Sequence, residues 1–232
     1  MAVPPNTDAA FLREVDEELR RDQLTGAWQR YGRIAIIAII AALVAFGGYL
    51  LWRSHQQSEA GEKAEALQKV YDGIAAKDAA AAKPLPELAK ASEPGYRALA
   101  QFTQADLLLQ KNDLPGAAKL FAAIAADTGV GQPFRDLALI RQTSAEFDTL
   151  KPDVVVSRLR DLAKPNNAWF GSAGELVAMA YLRMNKPDLA GPLFAQIARN
   201  EDVPGSIRQR AVQMTGALGV DAVDQGEDKK AK

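Results

Sequence analysis

The chain has 232 residues, a formal net charge of −1 and a sequence pI near 6.0, so it carries no basic footprint for nucleic acid. It lacks cysteine, which excludes disulfides, thiol catalysis and cysteine-ligated metals. The single histidine, His55, sits among Ser54, Gln56 and Gln57 without neighbouring ligand types, so neither a metal nor a cofactor is expected.

Residues 1–33 form a charged tail, expected to be cytoplasmic. After an unstructured start, Phe11, Leu12, Val15 and Leu19 recur at helical spacing and leave a narrow apolar stripe. Two readings stay open for this amphipathic helix: a solvated segment resting on a membrane surface, or a docking motif for a cytoplasmic partner. The acidic residues Glu14, Asp16, Glu17 and Glu18 alternate with Arg13, Arg20 and Arg21, the composition of a solvated helix with i,i+4 pairs.

From Ile34 to Trp52 the chain runs without a charge, bracketed by Arg33 and Arg53. A helix of that length reaches about 28 Å, close to the hydrocarbon thickness of a bilayer. Trp28, Tyr31, Tyr49 and Trp52 flank or close the run as interfacial aromatics, with Arg33 and Arg53 at headgroup depth. The run is too long for a signal peptide, follows a long charged segment and lacks a small-residue cleavage site. Residues 34–52 are therefore expected to form a transmembrane helix. Arg20, Arg21, Arg30 and Arg33 precede the span, whereas Arg53 and Lys63 follow at similar distance, which favours a cytoplasmic N-terminus and an exported C-terminal domain. In a bacterium that is a single-pass type II inner-membrane protein with a periplasmic domain.

Residues 53–91 read as a membrane-proximal helix and linker. Ala66, Leu67, Val70, Tyr71 and Ile74 give the helix Ser58–Ala82 its apolar face, and Pro84 and Pro86 break it after the Ala-rich stretch Ala75–Lys83. Residues 92–220 read as consecutive helices with Ser92 as the first N-cap. Breaks are expected at Lys111–Asp113, Thr128–Pro133, Lys151–Pro152, Lys164–Asn167, Asn185–Pro187 and Asp202–Pro204. Ser172-Ala173-Gly174-Glu175 has capping-box spacing and predicts a helix start there. Residues 221–232 are polar, charged and expected to be disordered.

A shift of 73 residues lays Leu120-Phe121-Ala122 on Leu193-Phe194-Ala195 and Ile124-Ala125 on Ile197-Ala198. Asn112 then meets Asn185, Leu109 meets Leu182, Val130 meets Val203 and Arg135 meets Arg208. The shift is slightly over twice the ~34-residue tetratricopeptide period. Ala105, Leu108, Ala117, Phe121 and Ile124 repeat as Ala178, Tyr181, Ala190, Phe194 and Ile197. This resembles the small–large alternation of tetratricopeptide helix pairs, in which small residues let two antiparallel helices approach and larger ones fill the seam. The segment with Leu139, Val155, Leu159 and Leu162 is a degenerate middle unit. The expected fold is all-α, one transmembrane helix followed by a tetratricopeptide-like helical-hairpin solenoid.

No catalytic constellation stands out. Gly171-Ser172-Ala173-Gly174 has the wrong spacing for a nucleophile elbow, and the domain contains no histidine base. The chain therefore reads as a non-enzyme without a small-molecule substrate. Stacked helix pairs act through their surfaces. Tyr96, Phe102, Phe134, Phe147, Trp169 and Phe170 are the candidate partner-binding anchors, against the alternative that they pack between repeats. Trp169-Phe170 looks least core-like.

Glu14–Tyr31, EVDEELRRDQLTGAWQRY, then Gly32, the span, Gly48-Tyr49 and Trp52 form a pattern. It resembles the bacterial family of ancillary subunits of the Sec translocon, single-pass proteins with a periplasmic tetratricopeptide-like domain. The resemblance covers the charged tail, the span and the helical repeats. It implies a non-enzymatic partner of the export channel that works with periplasmic chaperones on emerging polypeptide, in contact with the lipid bilayer. It transfers no functional residues. The second reading is a periplasmic scaffolding adaptor for envelope assembly or cell division using the same repeats.

Overall fold

The computed structural model describes residues 7–78 and 80–221, with side chains described from Arg30 onward apart from a few positions. Among these residues the fold is helical and without strands. The expected disorder at 222–232 lies outside the described residues. Contacts divide the chain into two compact units, Met1–Gly61 and Glu62–Lys232.

Helix α1 spans Thr7–Ala75 and contributes to both units. Within the first unit, Arg30–His55 is a stretch long and apolar enough to cross a membrane, and its window is not buried against protein. Ile37, Leu43, Val44, Phe46 and Leu51 all stand exposed, an arrangement that water would penalise by about 1.5–3 kcal/mol for each large apolar side chain. Tyr31, Tyr49 and Trp52 are exposed along the same stretch, with the Tyr49 and Trp52 rings 6.3 Å apart. Arg33 and Arg53 are exposed as well, whereas the Trp28 side chain lies outside those described.

The second unit starts earlier than residue 92. Leu67 and Val70, from the last turns of α1, are buried with Leu85, Leu88 and Ala100. The stretch read as a membrane-proximal helix and linker is, from Glu62 onward, packed against α3. Lys63 Nζ donates to Glu93 Oε1 and Oε2 at 2.7 and 2.6 Å, fastening that layer to the next helix and holding the Glu93 carboxyl below its ordinary range. α1 ends seven residues before the expected Ala82. Lys77 takes φ +59 and Asp78 N–H donates to the Gly73 carbonyl at 2.8 Å, closing the helix as a left-handed cap does. Pro84 and Pro86 then flank and begin a single-turn helix, α2 (Leu85–Leu88), rather than merely breaking one.

The repeats follow as α3 (Pro94–Gln110), α4 (Leu114–Ala126), α5 (Gln132–Ala145), α6 (Pro152–Leu159), α7 (Phe170–Arg183), α8 (Pro187–Arg199) and α9 (Gly205–Ala217). Each packs on its successor, and α7 also touches α5 and α9. Proline stands in the first turn of α3, α4, α5, α6 and α8, where its missing N–H costs nothing and its φ suits the helix.

The 73-residue shift maps α4 onto α8 end for end and α5 onto α9 at its start. Phe121 and Phe194 are fully buried, as are Ile124 and Ile197, Ala105 and Ala178, and Ala117 and Ala190. The small alanines admit the close helix contact and the Phe and Ile side chains wedge it. The hairpin turns repeat as well. Asn112 and Asn185 have φ +61 and +55, and the next residue's N–H donates to Leu108 and Tyr181 respectively, each at 2.9 Å. Asn is the non-glycine residue most tolerant of that conformation.

Two local expectations are corrected. Glu93, not Ser92, is the N-cap of α3, and Ser92 Oγ instead donates to Glu93 Oε2 at 3.1 Å. α7 starts at Phe170 with Trp169 as N-cap, so Ser172 lies inside the first turns and makes no capping box. Gly171 is a close-approach position, since a Cβ there would stand 2.7 Å from Val203 Cγ1. Glu175 pairs with Arg210 at 2.7 Å instead of capping, and this keeps the Arg210 guanidinium pKa raised.

The two repeats differ where the first helix of each meets the loop after the second. In the first, Arg97 donates to Asp127 at 2.9 and 2.7 Å and to the Ala91 carbonyl at 2.7 Å. In the second, Phe170 and Asn200 stand at the matching positions, and Asn200 Nδ2 alone reaches the Pro165 carbonyl at 3.1 Å. Arg97, followed by the Gly129 N–H, holds the Asp127 carboxyl below its ordinary range. The folded state therefore binds that proton less readily than the unfolded chain. The contribution is complete above the usual aspartate pKa of ~4 and fades as pH falls through the lowered value.

Two outcomes follow. Asp127→Asn should lower the melting temperature near neutral pH and shrink the loss of stability between about pH 5 and 3; an unchanged acid limb would contradict the assignment. Asn112→Val should destabilise by roughly 1–3 kcal/mol in thermal unfolding while Asn112→Gly is near neutral, because only the first strains the left-handed turn.

Candidate functional site

α3 and α5 present successive turns side by side, and the last turns of α1 close one edge. Together they line a groove of about 400 Å³, wholly within the second unit. Leu99, Phe102, Leu107, Phe134 and Leu137 supply apolar lining, and Tyr71 and Ile74 come from α1. The lining is repeated at i, i+3 and i+4 along α3 as Leu99, Thr103, Asp106, Leu107 and Gln110, and along α5 as Phe134, Leu137 and Arg141.

Polar groups are few, and the two charged ones are paired. Arg141 Nη2 pairs with Asp106 Oδ1 at 2.5 Å, across α5 and α3. Arg141 also lies 5.0 Å above the Phe121 ring, so its charge is held by both a carboxylate and a buried π face. Thr103 Oγ1 donates to its own helix at the Leu99 carbonyl, 2.8 Å away. The pair is about two-fifths exposed, so it fixes the spacing of α3 and α5 more than it adds stability. Glu175 and Arg210 form the same acid-to-arginine bridge between α7 and α9. Such a groove, mostly apolar, can hold side chains of a polypeptide.

The aromatic candidates divide. Phe134, 37% exposed, and Phe102, 8% exposed, both line the groove, with ring centroids 6.5 Å apart. Phe102 is chiefly a core residue that shows one edge, with Phe121 at 5.8 Å on its other side. Tyr96 is half-buried against the layer formed by α1, α2 and α3. Trp169 packs on the α6–α7 core, where Phe147 lies under the Arg183 guanidinium at 5.1 Å. Phe170 corrects the sequence reading outright: it is 1% exposed and belongs to the core with Phe194, Ile197 and Val203. Placing that pair at a helix start suggested exposure, but the missing Cβ of Gly171 lets Val203 close over the first turn.

The sequence names Tyr71 only as part of an apolar helix face and does not single out Leu99, Leu107, Leu137, Asp106 or Arg141. Their signal was available in the shared helical spacing of α3 and α5 and in two acid–arginine pairs, Asp106–Arg141 and Glu175–Arg210, at one separation. Among the described residues no group of His, Asp and Glu is arranged to hold a metal.

A family model described as a tetratricopeptide repeat-like domain matches residues 27–214, from just before the apolar stretch into α9. No curated protein and no solved structure matches the chain. With matched hairpins, wedged seams and a model covering most of its length, the chain belongs to the tetratricopeptide repeat-like domain family.

Proposed function

We propose that the protein is a membrane-anchored protein-interaction module, an ancillary subunit of the Sec translocon that presents its groove to a periplasmic chaperone or an emerging polypeptide. The observation that carries the reading is the apolar groove between α3 and α5, in a chain that also exposes an uncharged helix of membrane-spanning length. Tetratricopeptide-like arrays work as binding surfaces, and the groove offers mostly apolar contact. The translocon itself rests on the resemblance of residues 14–52. On this reading the span lies in the inner membrane with a cytoplasmic N-terminus, favoured by the arginines that precede it.

Two separable contacts are expected: one in the membrane, made by the span, and one in the periplasm, made by the groove. Full-length protein is purified from membranes in mild detergent beside a form whose residues 1–61 are replaced by an unrelated anchor, and beside Phe134→Asp. Translocon subunits should accompany the native protein and Phe134→Asp and be lost from the anchor swap. Chaperone or polypeptide should be lost from Phe134→Asp, because an apolar side chain entering the groove would have to desolvate the new carboxylate. Retention of the same envelope proteins by native and swapped forms, with no channel subunit in either, would favour the scaffolding reading instead.

A further inference from the structure

α5 and α9 hold equivalent places in the two repeats, yet the chain leaves them differently. After α9, Gly219 takes φ +68 and Val220 N–H donates to the Thr215 carbonyl at 2.9 Å. This left-handed cap reverses the chain and lays Val220 on α8. The contact is close, since a Cβ at Gly191 would stand 2.6 Å from Val220 Cγ2. Arg199 Nη2 ties the strap down by donating to the Asp221 carbonyl at 2.8 Å.

After α5 the corresponding residue, Glu146, has φ −92 and makes no left-handed turn. The chain instead carries Phe147 into the α6–α7 core. The surface of α4 that matches the strapped face of α8 is consequently left as a groove of about 430 Å³. Ala118 and Ala122, the counterparts of Gly191 and Ala195, line it with Leu114, Pro115 and Ala145. It is separate from the groove between α3 and α5, with which it shares no residue. Its rim carries Lys119 and Asp148 of opposite sign, and Glu146 is engaged by Arg158 at 2.6 Å. Net charge therefore selects no ligand, and selection falls to the apolar lining.

We infer that this groove on α4 seats a short non-helical segment of a partner polypeptide through one β-branched aliphatic side chain, as α8 seats Val220. The molecule itself shows what the matching face takes: the valine of a short non-helical segment folded back by a left-handed turn. Ala118 adds a methyl group where α8 has glycine, which makes the α4 site shallower and favours a small branched side chain over a long one.

The test uses a synthetic peptide of residues 216–223, Gly-Ala-Leu-Gly-Val-Asp-Ala-Val, with Val220 kept and a diazirine-bearing leucine at the Leu218 position. It is irradiated with full-length protein in detergent and the adducts are mapped by mass spectrometry. The expected adducts fall on residues 114–122 and Ala145. They drop at least fivefold in Ala122→Leu, which fills the groove, and in Leu114→Ser, which removes an exposed wall without overfilling anything. Unlabelled native peptide competes and the Val220→Asn peptide does not. Adducts confined to 187–195, adducts undiminished in both variants, or equal competition by the two peptides would overturn the inference.

Discussion

A helical hairpin has two apolar sides and can bury one of them against itself; the other must be covered by the next hairpin. This constraint governs the described residues from Glu62 to Asp221. Phe121 and Phe194 close the seams inside hairpins, and Val130 and Val203 carry the covering from one helix pair to the following helix. At the front, the last turns of α1 with α2 cover α3. At the back, α9 and its reversed end cover α8. Without these two closures an array of this size would leave apolar faces open to water.

The same constraint explains where binding surfaces can arise. The Asp106–Arg141 and Glu175–Arg210 bridges set the spacing of successive helices on one side, and between α3 and α5 that spacing leaves a groove deep enough to admit side chains. On the other side the covering is a loop, and its conformation decides whether the face is filled. Gly219 allows the strap that fills the α8 face, and Glu146 does not provide one for α4. Both openings are thus products of local backbone chemistry within a repeated frame.

The repeat was legible because its wedges are large and distinctive. Phe, Ile and Asn at one separation are hard to match by chance, and each matched pair proved to share burial or backbone conformation. The uncharged stretch was legible from composition alone. Other features depend on contacts that no local window contains. Helix propensity favours continuing α1 through Ala75–Lys83, but Ala81 folds back on Gly73, where a Cβ would meet the Ala81 side chain at 2.5 Å. Tertiary packing overrides propensity there. Phe170 reads as a surface residue because it stands at a helix entry, and the approach of Val203 to Gly171 shows it to be core. The groove draws on helices some thirty-five residues apart, so its aromatic members could be named but their lining neighbours could not be grouped.

The central claim is that residues 62–91 are the closing layer of the repeat array and stabilise it. Its most direct test is equilibrium unfolding of two soluble fragments, 62–221 and 92–221, followed by circular dichroism with a dye that reports exposed apolar surface. The account predicts one cooperative transition for 62–221, and for 92–221 a lower midpoint with dye binding, because Ala100 and Leu99 lose the cover of Leu67, Val70, Leu85 and Leu88. Equal midpoints and no added dye binding would mean that α3 needs no cover from α1 and α2, and the claim would fail.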